Sequence, residues 1–193
     1  MSIKTEGAGT HGTMLPFPLG EKVGSDIDLS KNLGQVVEGK KGRKFRLVQY
    51  VSATALAGPY AAGANVAGAR HFAPTAANLD DPSTMFKVGL AQRTGTKPQN
   101  RSIGVALKDQ VALVQNDYFW LQFDGDYIDM FMGDDGTNVA PGDYIALDDD
   151  ADLGCVYGLG TTHTPEFEVG VAMSTETGTD ALIQVRPTKP LNG

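Results

Sequence analysis

Six residues near the start, Gly7-Ala8-Gly9-Thr10-His11-Gly12, match the dinucleotide-binding spacing G-x-G-x-x-G letter for letter. That chemistry needs a strand before the glycines and a helix after them, so that a pyrophosphate meets a helix N-terminus. Unpatterned residues precede the glycines here and Pro16-Phe17-Pro18 follows, so no nucleotide site is expected. Gly63 to Gly68 has P-loop spacing, but Ala69-Arg70 stands where Lys and Ser/Thr would reach phosphate and magnesium. His11, His71 and His163 are scattered, without the close histidine pairs of zinc proteases or cupin metal barrels. Cys155 is the sole cysteine, which excludes an intramolecular disulfide and a multi-cysteine zinc site, and it reads as a small core residue. Asp148-Asp149-Asp150-Ala151-Asp152 spaces its carboxylates as a calcium loop does. Leu153 then stands where the loop needs glycine and Leu159 where it needs a bidentate glutamate, so a solvated acidic hairpin is expected. There is no Gly-x-Ser-x-Gly elbow, and nothing singles out a glycosidase pair among the acidic turn residues. The expectation is a protein that is not an enzyme and uses no metal or cofactor.

The elements point the same way. The chain has 193 residues, 41% of them hydrophobic, with 24 glycines and 10 prolines and no long apolar stripe at helical spacing. That composition suits a turn-rich β protein with a sizeable core. Strands are expected at 45–51, 85–91, 102–107, 111–115, 118–123, 127–132, 143–147, 154–159, 166–173 and 181–186, with turns at Asp124-Gly125-Asp126, Pro141-Gly142 and Thr177-Gly178-Thr179. In the strand at 166–173, Phe167, Val169, Val171 and Met173 alternate with Glu166, Glu168, Gly170 and Ala172, which predicts one face in the core and one in water. The fold class expected is all-β, a small antiparallel β-barrel or β-sandwich of jelly-roll or β-tulip kind. Residues 1–35 read as an extended N-terminal arm and 36–193 as a single β domain. Within that domain 53–84 is rich in alanine and glycine and reads as a long loop that packs on a neighbour.

Charge is distributed unevenly. The net charge of −7 divides into +3 over residues 1–50, +2 over 51–100 and −12 over 101–193. Such a chain suits an acidic partner at its basic end and does not suit nucleic acid. No run approaches the roughly 18 apolar residues of a membrane span, and the opening residues lack a basic region followed by an apolar core, so neither a membrane anchor nor a signal peptide is expected.

One short pattern recurs. Ile103-Gly104-Val105-Ala106-Leu107 returns as Val169-Gly170-Val171-Ala172-Met173, and Val88-Gly89-Leu90-Ala91 looks like a third copy. Each lies in a β context, where an internal glycine marks a bulge, a corner or the close approach of another backbone. The expectation is three glycine-kinked strands at similar corners of one barrel. Leu33-Gly34-Gln35-Val36-Val37-Glu38 runs into Gly42-Arg43-Lys44-Phe45-Arg46-Leu47-Val48. Later come Gly104-Val105-Ala106-Leu107, Gln115-Asn116-Asp117 with Trp120-Leu121-Gln122, Ala140-Pro141-Gly142-Asp143, and Gly170-Val171-Ala172-Met173 before Ala181-Leu182-Ile183-Gln184-Val185. In this order the segments resemble the head decoration, or cement, proteins of tailed bacteriophages.

That resemblance implies a non-catalytic virion structural protein, made in the host cytoplasm and carried as a homotrimer on the exterior of the capsid head. There it would bridge copies of the major capsid protein and stabilise the shell against the pressure of packaged DNA. It implies capsid contacts by Met14, Leu15, Phe17 and Leu19 of the arm and by Lys40, Lys41, Arg43 and Lys44 of the basic turn. Phe119 and Trp120 lie on opposite faces of one strand, and one of them is expected at a subunit interface. The alternative is a glycan-binding β-sandwich displayed on a virion or cell surface, with Trp120, tyrosines and acidic loops forming a shallow sugar site.

Overall fold

The computed structural model describes residues 17–62, 65–75, 81–92, 101–133, 138–148, 153–161, 168–177 and 180–191. Its strands are β1 (Lys22–Val23), β2 (Val36–Glu38), β3 (Lys44–Tyr50), β4 (His71–Pro74), β5 (Lys87–Leu90) and β6 (Gly104–Ala106). They continue as β7 (Tyr118–Asp124), β8 (Ile128–Met132), β9 (Tyr144–Leu147), β10 (Val156–Gly160), β11 (Glu168–Ala172) and β12 (Ala181–Pro187). A single helical turn at Pro82–Met85 and two short 3-10 turns are the helical elements among the described residues. The chain is all-β, as its sequence predicts.

Two five-stranded barrels are built from these strands. In the first, β3 pairs with β5, β5 with β4, β4 with β6, β6 with β7, and β7 closes back on β3. In the second, β8 pairs with β10, β10 with β9, β9 with β11, β11 with β12, and β12 closes on β8. Taken in chain order, the strands of both barrels follow one ring, first–third–second–fourth–fifth, and in both the first–third pair is parallel while the others are antiparallel. The registers agree as well. Phe72 faces Gly104 and Leu90 as Ile145 faces Gly170 and Gly158, and Ala106 faces Leu121 as Ala172 faces Val185. Even the hydrogen bonds leading into the second strand repeat. Ala69 N–H donates to Ala106 C=O and Ala106 N–H to Arg70 C=O, while Gly142 N–H donates to Ala172 C=O and Ala172 N–H to Asp143 C=O. The molecule is one barrel written twice.

This corrects the reading of the sequence repeat. Gly104 and Gly170 sit on the corresponding fourth strands of two different barrels, whereas Gly89 lies on the third strand of the first. The requirement for glycine is local and shared: a Cβ on Gly104 would lie 2.7 Å from the Leu121 Cβ, and one on Gly170 2.6 Å from the Val185 Cγ1. Leu121 and Val185 occupy the same place on their respective fifth strands, so the close approach is inherited with the fold. The alternation expected on β11 fails at this glycine. The β9–β11 register shifts between Glu168 and Gly170. That bulge leaves Val169 and Ala172 in the core, buries Glu168, and turns Met173 outward with 40% of its surface exposed.

Strands β3 and β7 carry apolar residues on both faces because they are covered on both sides. Val48, Tyr50, Phe119 and Leu121 fill the first barrel, while Phe45, Leu47, Tyr118 and Trp120 face outward beneath residues 17–33. The second barrel's interior, with Met130, Ile145, Val156, Ile183 and Val185, continues through Phe123 into Ala73, Ala91 and Val105 of the first. The barrels therefore share apolar packing across a seam. The Ala/Gly-rich stretch 53–84 supplies β4, and its Val66 and Ala69 pack on Phe131 of the second barrel. Tyr60 meets Phe131 edge to face at 5.2 Å. The segment expected as a strand at 111–115 forms instead a loop pinned by a single bridge, Leu56 to Leu113.

Candidate functional site

Among the described residues no group of three or more His, Cys, Asp or Glu side chains is placed to hold a metal. His71 is fully buried where the barrels meet, with Nδ1 2.7 Å from the Ser102 hydroxyl and Nε2 3.2 Å from the Met130 sulfur. Desolvation lowers its pKa to about 3, so the imidazole is neutral at ordinary pH. Cys155 is a buried cysteine outside any disulfide, and Asp148 is buried. His11, His163, Asp149, Asp150, Asp152, the Gly7–Gly12 motif and part of the P-loop-like run lie outside the described residues. No helix of the described residues is long and apolar enough to cross a membrane.

Of the arm residues, Met14 and Leu15 also lie outside the described residues, whereas Phe17 and Leu19 fold back onto β7. The Phe17 ring lies 5.7 Å from the Trp120 ring, and the indole N–H donates to the Phe17 carbonyl at 3.3 Å. Trp120 and Phe119 are both 0% exposed. Phe119 fills the first barrel and Trp120 is roofed by the chain's own arm, so neither face of that strand is open in the isolated chain, and the aromatic platform of a glycan site is not available there.

The basic turn is built differently. β2 and β3 form a hairpin in which Gly39 N–H donates to Arg43 C=O at 2.7 Å, with Lys40–Gly42 at its tip. Lys41 and Gly42 both adopt left-handed backbone, at φ 59° and 68°. That geometry is the one a tight hairpin turn asks for, and glycine or asparagine supplies it at lower cost than lysine. Lys40 and Lys41 are exposed, and Arg43 is half-buried with its guanidinium 5.8 Å above the Phe45 ring. Lys44 is held by Asp124 at 2.9 Å, and that hydrogen bond raises its pKa. Lys40, Lys41 and Arg43 have no carboxylate within ion-pair distance among the described residues.

Sequence reasoning passed over the strand beside this turn. In β2 the pairing with β3 alternates, because Leu47 N–H donates to Gln35 C=O and Gly39 N–H to Arg43 C=O, so the backbone groups of Val36 and Glu38 point away from β3. Val36 is 47% exposed. Three residues of alternation are too short a pattern to mark a strand.

The two barrels also differ electrostatically. Residues 36–124 carry 11 basic and 6 acidic side chains, whereas 125–193 carry 2 basic and 13 acidic. The candidate site is thus an exposed cationic hairpin with an open strand edge on the basic half of a strongly dipolar chain.

No family model matches the chain, and no curated protein matches it. A solved structure similar to it is that of the head fiber gp8.5 N base in bacteriophage phi29, with a TM-score of 0.46 and 11% sequence identity, covering 77% of this chain and 98% of that one.

Proposed function

We propose that the chain is a non-catalytic virion structural protein, a decoration or cement protein that binds the outside of an assembled phage head and bridges major capsid subunits. The observation that carries this reading is the hairpin Val36–Lys44, whose exposed Lys40 and Lys41 have no carboxylate partner among the described residues, on the basic barrel, while the acidic barrel carries the opposite charge. The ordered run of segments that resembles cement proteins supports it. Binding several shell subunits at once adds interface that only the assembled state offers, and so stabilises the shell without chemistry. The working form is a homotrimer.

Quantitative mass spectrometry across a density gradient of virus particles tests this reading. Banding with the most abundant shell protein in near-stoichiometric amount is expected. Absence from the particle band overturns it.

A further inference from the structure

Resting on that reading, we infer that the outer edge of β2 accepts an extended acidic segment of the shell protein, which adds to the sheet as one more strand. Closure of both barrels removes most strand edges from the molecule. β2 escapes closure: it pairs with β3 on one side, and the outward N–H and C=O of Val36 and Glu38 bond to no described residue. An incoming strand satisfies those groups and covers the exposed Val36 side chain, which supplies affinity through main-chain bonds. Charge selects the occupant. β2 leads directly into Lys40, Lys41 and Arg43, so a carboxylate at the turn end of the incoming strand meets cations that have no carboxylate partner among the described residues. Glu38 is exposed on the same edge and repels a carboxylate placed directly against it. The favoured register therefore sets an uncharged residue beside Glu38 and the acidic ones beyond it, against Lys40 and Lys41.

The test uses the full chain and shell particles of its virus stripped of this protein, with binding read by co-sedimentation. Val36→Pro removes an outward N–H and leaves the β2–β3 ladder intact, because Val37 makes the bonds to β3. With folding verified by Trp120 fluorescence, this variant is expected to bind at least tenfold more weakly, as is Lys40→Glu with Lys41→Glu. Hydrogen exchange on the unaltered protein gives a reading independent of any substitution: the Val36 and Glu38 amides are expected to become protected in the bound state. Full binding by Val36→Pro, or exchange at those amides unchanged on the particle, overturns strand addition while leaving the decoration reading in place. Weakening by the charge reversals alone also overturns it, since charge steering without strand pairing then suffices. Failure of the unaltered protein to bind the particles overturns both.

Discussion

His71 shows how much one buried side chain decides. Its imidazole bridges the barrels between Ser102 and Met130, with no charged neighbour contributing to its shift. The unfolded chain takes up a proton at this histidine near pH 6.5, whereas the folded chain refuses it until about 3. Stability is therefore complete above pH 6.5 and falls as the pH drops toward 3, by at most about 1.4 kcal/mol per pH unit from this group. Urea unfolding at pH 7 and pH 4 checks this, and His71→Gln is expected to flatten the slope by about one proton. At Gly104 and Gly170 the limit is steric. Alanine there is expected to cost about 2 kcal/mol or more, because the new Cβ meets a neighbouring strand. At Gly142, which has open space and a φ of +100°, alanine should cost only about 1 kcal/mol of backbone strain. Lys41 is the opposite case, a residue held at φ 59° where glycine fits better. Lys41→Gly is expected to raise stability by about 0.5 kcal/mol and to weaken particle binding, so that thermal melts and co-sedimentation move in opposite senses.

At the scale of elements, the arm segment 17–33 acts as a lid for the outer face of β3 and β7. Phe17→Ala should lower stability by about 3 kcal/mol and shift the emission of the single tryptophan to the red, since the Phe17 ring is what roofs Trp120. Most of β3, β5, β7, β8, β9, β10 and β12 was legible from alternation and turn residues. The opposite orientation of Phe119 and Trp120 was legible too, but what covers Trp120 comes from a stretch with no period of its own, about a hundred residues earlier in the chain. β4 hid inside an alanine- and glycine-rich run, with Pro74 at its end, because its strand character comes from its neighbours β5 and β6 and not from its residues. The bulge at Glu168–Gly170 broke a pattern that read cleanly, since alternation assumes a regular ladder. The basic turn of the candidate site was visible as a charge cluster, whereas the open edge beside it depends on pairing that only the fold defines.

For the whole molecule, the seam and the charge distribution matter most. Because Ala73, Ala91, Val105 and Phe123 belong to the same apolar cluster as the second barrel's interior, the barrels are expected to unfold together. Calorimetry should give one transition with matching van't Hoff and calorimetric enthalpies, and two separated transitions would contradict a shared core. Binding to an acidic shell through Lys40, Lys41 and Arg43 is expected to weaken between 50 and 500 mM salt, as the Debye length shrinks from about 14 Å to about 4 Å.

The matching registers of the two barrels also bear on how the chain finds its structure. Each barrel strand of one half has a geometric counterpart in the other, so pairing of β6 with β12 in place of β7 is a mispairing route that a chain with a single barrel does not face. The halves differ where such an exchange would be felt: Trp120 stands where the other barrel has Gln184, Arg46 where it has Ile128, and excess positive charge where it has excess negative. These differences between the halves are expected to sort strands to their own barrel during folding.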